Sequence, residues 1–469
     1  MSAIRQLFSG RRRDVDMTEG NIVHHLIAFA IPLLVGNIFQ QLYNTVDTWV
    51  VGNYVSNEAF SAVGTVGPII NMLIGFFTGL SSGAGVVISQ YYGAGRQDKV
   101  REAVHTALLM TFLLGLAFTA LGIGMTPVML RFMKTPAEVL PQSTAYLTIY
   151  FGGVMGLLIY NMGSGILRAV GDSTRPFCFL VVSATVNIVL DLLFVIAFDM
   201  GVRGVAWATI IAQGASALLV LITLARSPSC IRLRADSLRL SGEVLGKIVR
   251  VGIPAAVQMA VTAFSNVFVQ SYINHFGADC MSGWTAYTKI DQLMLLPMQS
   301  LAMASTTFVG QNLGRRNVER AQEGLRRAFF IAAGITVAIA ACVMAGAPWL
   351  VAFFNSKAQV VAYGTLFLRW MSPFYVLCCL NQVYAGALRG SGNSRTPMVI
   401  MLFSFVLFRQ CYLFLMANFI SNTVLPIALG YPAGWLVCST LILLYYRRCG
   451  LTRGQLLAEP AEKEGSTAT

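Results

Sequence analysis

Twelve apolar runs, each long enough to cross a bilayer, divide this chain and leave only short polar connections between them. They lie near 22–51, 59–91, 103–130, 141–168, 173–198, 202–225, 246–274, 284–313, 324–354, 359–388, 396–419 and 424–446. About 20 apolar residues in helical form span the hydrocarbon of a membrane. Backbone in lipid must satisfy its own hydrogen bonds, so each run is expected to be a helix. Several runs exceed the minimum, which predicts tilted helices or ends that project into water. The pattern predicts an all-α polytopic membrane protein with 12 transmembrane helices.

The runs fall into two sets of six. LRAVGDSTRP at 167–176 and LRGSGNSRTP at 388–397 nearly repeat one another 221 residues apart, each where one run gives way to the next. The same offset matches Gln90 to Gln311 and Gly93 to Gly314, and an offset of 222 matches Pro32 to Pro254. Six spans per half is an even number, so the two six-helix bundles run in the same direction, related by an axis along the membrane normal. Many secondary transporters are built from such repeats, with the substrate site between them. The boundaries read as an N-terminal bundle with a short cytoplasmic tail over 1–225, a cytoplasmic linker over 226–250, a C-terminal bundle over 251–446 and a polar, disordered tail over 447–469. The linker holds six basic residues, and two forms stand open for it: a short amphipathic helix at the membrane surface or a solvated connection. The decapeptides read as helix punctuation. Gly171 and Gly392 close one helix, Asp172 or Asn393 caps the next, and Pro176 and Pro397 suit its first turn.

Composition sharpens the class. With 56% hydrophobic residues, 11% charged and a mean hydropathy of +0.67, a soluble chain of 469 residues could not hide its apolar surface. The net charge of +13 does not signal nucleic acid. Assigning alternate connections to the inside puts 26 of the 33 Lys and Arg residues there and four outside. That bias places both termini in the cytoplasm. No cleavable signal is visible. The nine cysteines and four histidines show no metal-ligand spacing, so no metal site and no cofactor are expected, and no nucleophile constellation points to an enzyme.

Acids inside spans are costly and usually functional. Span 1 ends a polar stripe of Asn37, Gln40, Asn44 and Asp47 at helical spacing. Span 5 carries Asn187 and Asp191 one turn apart in an otherwise apolar run. Asp47, Asn187 and Asp191, with Asn161 on span 4 and Thr209 on span 6, make an oxygen-only set suited to a proton or a small hard cation, while Asn37, Gln40 and Asn44 are candidates for a substrate cavity. Two buried carboxylates raise each other's affinity for protons, so such a pair can load and release one. The C-half lacks the cluster: Phe408 and Tyr412 stand at the positions matching Asn187 and Asp191. Span 7 keeps an uncharged stripe that includes Gln258 and Asn266. Met294 and Met298 on span 8 are further candidates for a cavity that adapts to varied apolar compounds. Asp291, also on span 8, is expected either to pair with Arg409 across helices or to face water. Pro32 lies 15 residues before Asp47 and is a candidate hinge.

At these residues the chain resembles the multidrug and toxic compound extrusion (MATE) family in its prokaryotic DinF-like branch. The likeness runs from FAIPLLVGNIFQQLYNTVDTWVVG through SQYYGAGR, LRAVGDSTRP and VNIVLDLLFV to NQVYAGALRGSGNSRTP. It implies two six-helix bundles flanking a cavity that opens to alternate sides. It also implies export of organic, often cationic and hydrophobic, compounds in exchange for H+ or Na+ across a bacterial inner membrane, with no obligatory protein partner. In this branch the coupling residues correspond to Asp47, Asn187 and Asp191, together with Asn161 and Thr209. The rival reading is a flippase for lipid-linked glycans from the same broader superfamily, which would call for more basic residues in the cavity.

Overall fold

The computed structural model describes residues 14–55, 57–133 and 135–452; a few side chains within those ranges, Asp47 among them, lie outside the described set. Among the described residues, twelve helical spans are long and apolar enough to cross a membrane. The N-half consists of α1 (Ile22–Tyr54), α2 (Asn57–Gly93), α3 (Gln97–Phe132), α4 (Leu140–Ala169), α5 (Thr174–Leu192, extended by a π-helical turn at Leu193–Ala197) and α6 (Gly201–Ala225). The C-half begins with α7 (Gly242–Asn274), α8 (Ala278–Gly314) and α9 (Val318–Phe354). Its tenth span is α10 (Ala358–Met371) and α11 (Tyr375–Gly390), joined by a 3-10 turn. The eleventh is α12 (Arg395–Leu402) and α13 (Arg409–Leu415), with π-helical turns at Phe403–Phe408 and Met416–Ile420, and the last is α14 (Val424–Ala428) and α15 (Gly430–Cys449).

The decapeptides fold as the residue types dictate. Gly171 and Gly392 take φ of +85° and +89°, a left-handed conformation that costs glycine little. Asp172 Oδ1 then accepts from the N–H groups of Thr174 and Arg175, both at 3.1 Å, and Asn393 Oδ1 accepts from Thr396 N at 3.2 Å. Each side chain thus satisfies donors that the next helix leaves open.

The linker is ordered and carries no amphipathic helix. It contains one 3-10 turn, Ala235–Ser237, and α7 already starts at Gly242, so the last residues of the expected linker form the first turns of a span. Ser241 caps that start by accepting from Val244 N. The linker docks on α3: His105 Nε2 accepts from Arg234 N at 3.0 Å, and Thr106 Oγ1 donates to the Arg239 carbonyl at 3.3 Å.

Each half has its own apolar core, with one crossing. Ile22, Leu26, Phe29 and Leu33 of α1 pack into the core of the C-half, beside residues of α8. Further along the same helix, α1 lies against α5 of its own half. Span 1 therefore touches both bundles, which the repeat pattern does not predict.

Candidate transport site

A cavity of about 540 Å3 lies between the halves. Its wall is built from α1, α2 and α4 on one side and α7, α8, α11 and the first part of span 11 on the other. Leu33, Met259, Met303, Met401 and Phe405 give it apolar surface, and serine, threonine and amide side chains supply hydrogen bonds. Among the described lining residues the only ionised side chains are Arg168 and Arg389, the matched arginines of the two decapeptides.

One end of this cavity is closed by the ends of α2 and α8. A Cβ placed on Gly93 would sit 1.9 Å from the Gln311 carbonyl oxygen, and one on Gly314 would sit 2.0 Å from that of Gln90. Only glycine lets the two backbones touch in this way. The neighbouring glutamines reach across the halves: Gln90 Nε2 donates to the Gly390 carbonyl and Gln311 Nε2 to that of Ala169, each at 2.9 Å. Residue 90 plus 221 is 311, and 169 plus 221 is 390, so the two bonds are mates under the repeat. The amino-terminal segment adds to this closure, since Met17 N donates to Gln311 Oε1 at 2.9 Å and Val15 N to the Val170 carbonyl at 2.9 Å.

Asn187 and Asp191 are both buried on α5, immediately before the π-helical turn at Leu193–Ala197. Such turns are frequent at functional sites. Neither polar atom of the Asn187 amide has a hydrogen-bond partner among the described residues. A buried amide without partners is costly, which makes it a ready ligand for an ion or a protonated neighbour. Asp47 lies on α1, and its side chain is outside the described residues. Asn161 and Thr209 are half-buried and spend their donors on their own helices: Asn161 Nδ2 donates to the Leu157 carbonyl at 2.9 Å and Thr209 Oγ1 to that of Val205 at 3.0 Å. The Asn161 carbonyl also accepts from Ser81 Oγ of the cavity wall at 2.6 Å.

The remaining candidates divide. Asn37, Gln258 and Asn266 line the cavity. Gln40 is half-buried and Asn44 exposed, neither on the described cavity wall. Met294 and Met298 are 2% and 1% exposed and belong to the C-half core; Met259, Met303 and Met401 are the methionines on the wall instead. Helical spacing alone does not tell a core-facing from a cavity-facing methionine. Pro32 sits within a continuous α1.

Of the two expectations for Asp291, the pairing with Arg409 does not form. Arg409 Nη2 donates to Ser265 Oγ at 2.8 Å and Asn266 Oδ1 at 2.9 Å, and its guanidinium lies 4.6 Å from the centre of the Tyr431 ring. Asp291 Oδ1 instead accepts from the hydroxyls of Tyr287, at 3.3 Å, and Tyr375. These tyrosines were not legible as partners: Tyr287 is one helical turn from Asp291, but Tyr375 comes from another span.

The MatE family model matches residues 32–193 and 254–431, one stretch in each half. The "Probable multidrug resistance protein YpnP" of Bacillus subtilis is 28% identical over 92% of this chain and 96% of its own length. The "Probable multidrug resistance protein NorM" of Thermotoga maritima is 27% identical over 91% and 94%. A MOP superfamily transporter from Pyrococcus furiosus has the same fold, with a TM-score of 0.88 and 24% identity over 93% of this chain and 98% of its own. With twelve membrane helices in two matched bundles, the chain belongs to the MatE family of membrane transporters and is not an enzyme.

Proposed function

We propose that the chain is a secondary active antiporter that exports hydrophobic organic compounds, drugs among them, in exchange for H+ or Na+. The observation that carries this reading is the position of α1. Its start packs in the C-half core, Leu33 and Asn37 line the cavity, and its later part, which bears Asp47, lies against the helix of Asn187 and Asp191. A change of charge at those acids is thereby tied to a helix that both halves hold. Pro32, which removes one backbone hydrogen bond from α1, is the proposed hinge. The multidrug resistance relatives support the substrate range. The expected preference for cationic compounds finds no support in the described cavity wall, whose ionised side chains are both arginines.

The inside excess of Lys and Arg supports a bacterial inner-membrane protein with both termini in the cytoplasm. Reporter fusions at the carboxyl terminus should report a cytoplasmic location; a periplasmic one sinks that topology. The test of transport itself uses everted vesicles with a fluorescent dye in the medium, with a pH gradient and a Na+ gradient imposed separately. One of the two should drive uphill dye movement, and dye movement under neither refutes the antiport reading.

The glycan-lipid flippase is kept as a second reading because of one observation, the arginine pair in the cavity.

A further inference from the structure

We propose that Arg168 and Arg389 form an oxyanion-binding pair at the closed end of the cavity, and that the compounds handled there carry a carboxylate or phosphate group on a hydrophobic body. This rests on the reading of the cavity as the transport site and names the chemistry of its occupant.

The two arginines are mates under the repeat, each in the last turn of its helix, α4 or α11. Both line the same cavity. Arg389 is only 8% exposed, and neither takes part in an ion pair among the described residues. Other buried arginines in this protein are provided for. Arg175 pairs with Asp172 at 3.3 Å, and Arg409 is held by Ser265, Asn266 and the Tyr431 ring. Arg168 and Arg389 depart from that habit.

Burying a charge without a partner is costly. The carboxyl ends of α4 and α11 offset part of that cost through their dipoles. They leave the guanidinium donors, five on each side chain, largely unused. Two planar guanidinium groups, one from each side of the cavity, match the oxygens of a carboxylate or phosphate, which accept paired N–H bonds from such groups. The rest of the wall suits the apolar remainder of such a molecule, through Leu33, Met259, Met303, Met401 and Phe405. Methionine side chains adjust to varied shapes. An exporter of amphiphilic anions and a flippase of phosphate-linked lipids would share this recognition. The competing account is that the arginines only steady the ends of α4 and α11 and bind nothing.

The test uses the purified full-length chain in neutral phosphatidylcholine nanodiscs, titrated with octyl phosphate, octanoate, octyltrimethylammonium and inorganic phosphate. Binding is read by calorimetry and by the shift in melting temperature. In the wild type, octyl phosphate or octanoate should bind and octyltrimethylammonium should not. Which of the two anions binds more tightly identifies phosphate or carboxylate as the preferred group. Arg168→Gln and Arg389→Gln should each weaken that binding by roughly ten- to a hundredfold, the effect of losing charged hydrogen bonds. Arg→Lys at either site, which keeps the charge and loses the fork, should weaken it less.

Octyltrimethylammonium binding as tightly as the anions would overturn the pair, and this comparison needs no variant to fold. So would wild-type anion affinity in a folded Arg168→Gln/Arg389→Gln double variant. Inorganic phosphate binding as tightly as octyl phosphate would overturn the amphiphile in favour of a free anion. Dye export by wild-type vesicles bears on the transport reading alone, so the two can fail separately.

Discussion

The two halves share a scaffold and differ in how each treats an acid within a span. Both close their fourth span with the same decapeptide turn, and each sends a glutamine to the last carbonyls of the other. The N-half places Asn187 and Asp191 on α5 and leaves the Asn187 amide without a hydrogen-bond partner among the described residues, while π-helical turns occur in the matching spans of both halves. The C-half puts Phe408 and Tyr412 at those positions. Its own acid within a span, Asp291, is half-buried, sits on a different span and takes hydrogen bonds from two tyrosines. A repeat preserves what the fold requires. A carboxylate held by two hydroxyls that pack in a core is built to stay as it is, whereas one beside an unsatisfied amide has something to exchange.

The largest test of this contrast removes titration from the N-half. Asp191→Asn and Asp47→Asn keep size and lose the change of charge. One elementary charge crossing the membrane supplies about 2.3 kcal/mol per 100 mV, and it drives export only if a group changes charge in each cycle. Either variant should abolish gradient-driven dye efflux at matched protein levels. Wild-type pumping by both would place coupling elsewhere and erase the distinction between the halves.

Next come the features the halves share at the closed end. Gly93→Ala would put a methyl 1.9 Å from the Gln311 carbonyl oxygen, so α2 and α8 must part. Thiol labelling of cysteines introduced near residues 90 and 311 should rise sharply. Gln90→Ala and Gln311→Ala should act in the same direction and more weakly. Gln90→Ala loses the bond to the Gly390 carbonyl, about 1–3 kcal/mol, or about ten- to a hundredfold in the closed-to-open ratio; Gln311→Ala loses the bond to the Ala169 carbonyl and also the one accepted from Met17 N. The two glutamine-to-carbonyl bonds are mates under the repeat, but Gln311 also accepts from Met17 N, so Gln311→Ala should have the larger effect of the two. A large effect from one and none from the other would show that the pseudo-symmetry is only geometric.

Pro32→Ala should have a moderate effect. It restores a backbone donor to α1 and should slow export more than it lowers protein abundance. Unchanged export would mean that the helix merely accommodates the proline, as membrane helices commonly do.

Much of this fold was legible because the bilayer imposes one rule on every span. Twelve apolar runs gave twelve helices, and the 221-residue offset located the halves and both turns. Asp191 of span 5 stood out because a charge in lipid is rare. What stayed hidden depends on packing across spans. The apolar residues Ile22, Leu26, Phe29 and Leu33 look alike whichever half they face, so the crossing of α1 into the C-half core was not readable. Met294 and Met303 lie nine residues apart on one helix, yet one fills the core and the other lines the cavity. Nothing in the local sequence marks the π-helical turn after Asp191. The docked linker was missed because its anchors, His105 and Thr106, lie on α3 more than 120 residues earlier.

The smallest effect on coupling is expected at Asp291, and it is the sharpest check on the contrast. The side chain is fixed by hydroxyls from α8 itself and from α11, and Tyr287 and Tyr375 also bond to each other at 3.1 Å. Tyr287 and Tyr375 are 2% and 0% exposed, and they pack among Trp284, Phe367 and Trp435 with little room to turn. Tyr375→Phe removes one of the two hydroxyls from a half-buried carboxylate and should cost about 1–3 kcal/mol of stability, read as a lower melting temperature. Asp291→Asn lets both hydroxyls stay bonded to an uncharged acceptor and should cost less. In both variants, dye efflux per folded molecule should remain near the wild-type rate. If Asp291→Asn instead stops gradient-driven efflux while the protein stays folded, the tyrosines hold a working proton site, and the halves divide the coupling between them.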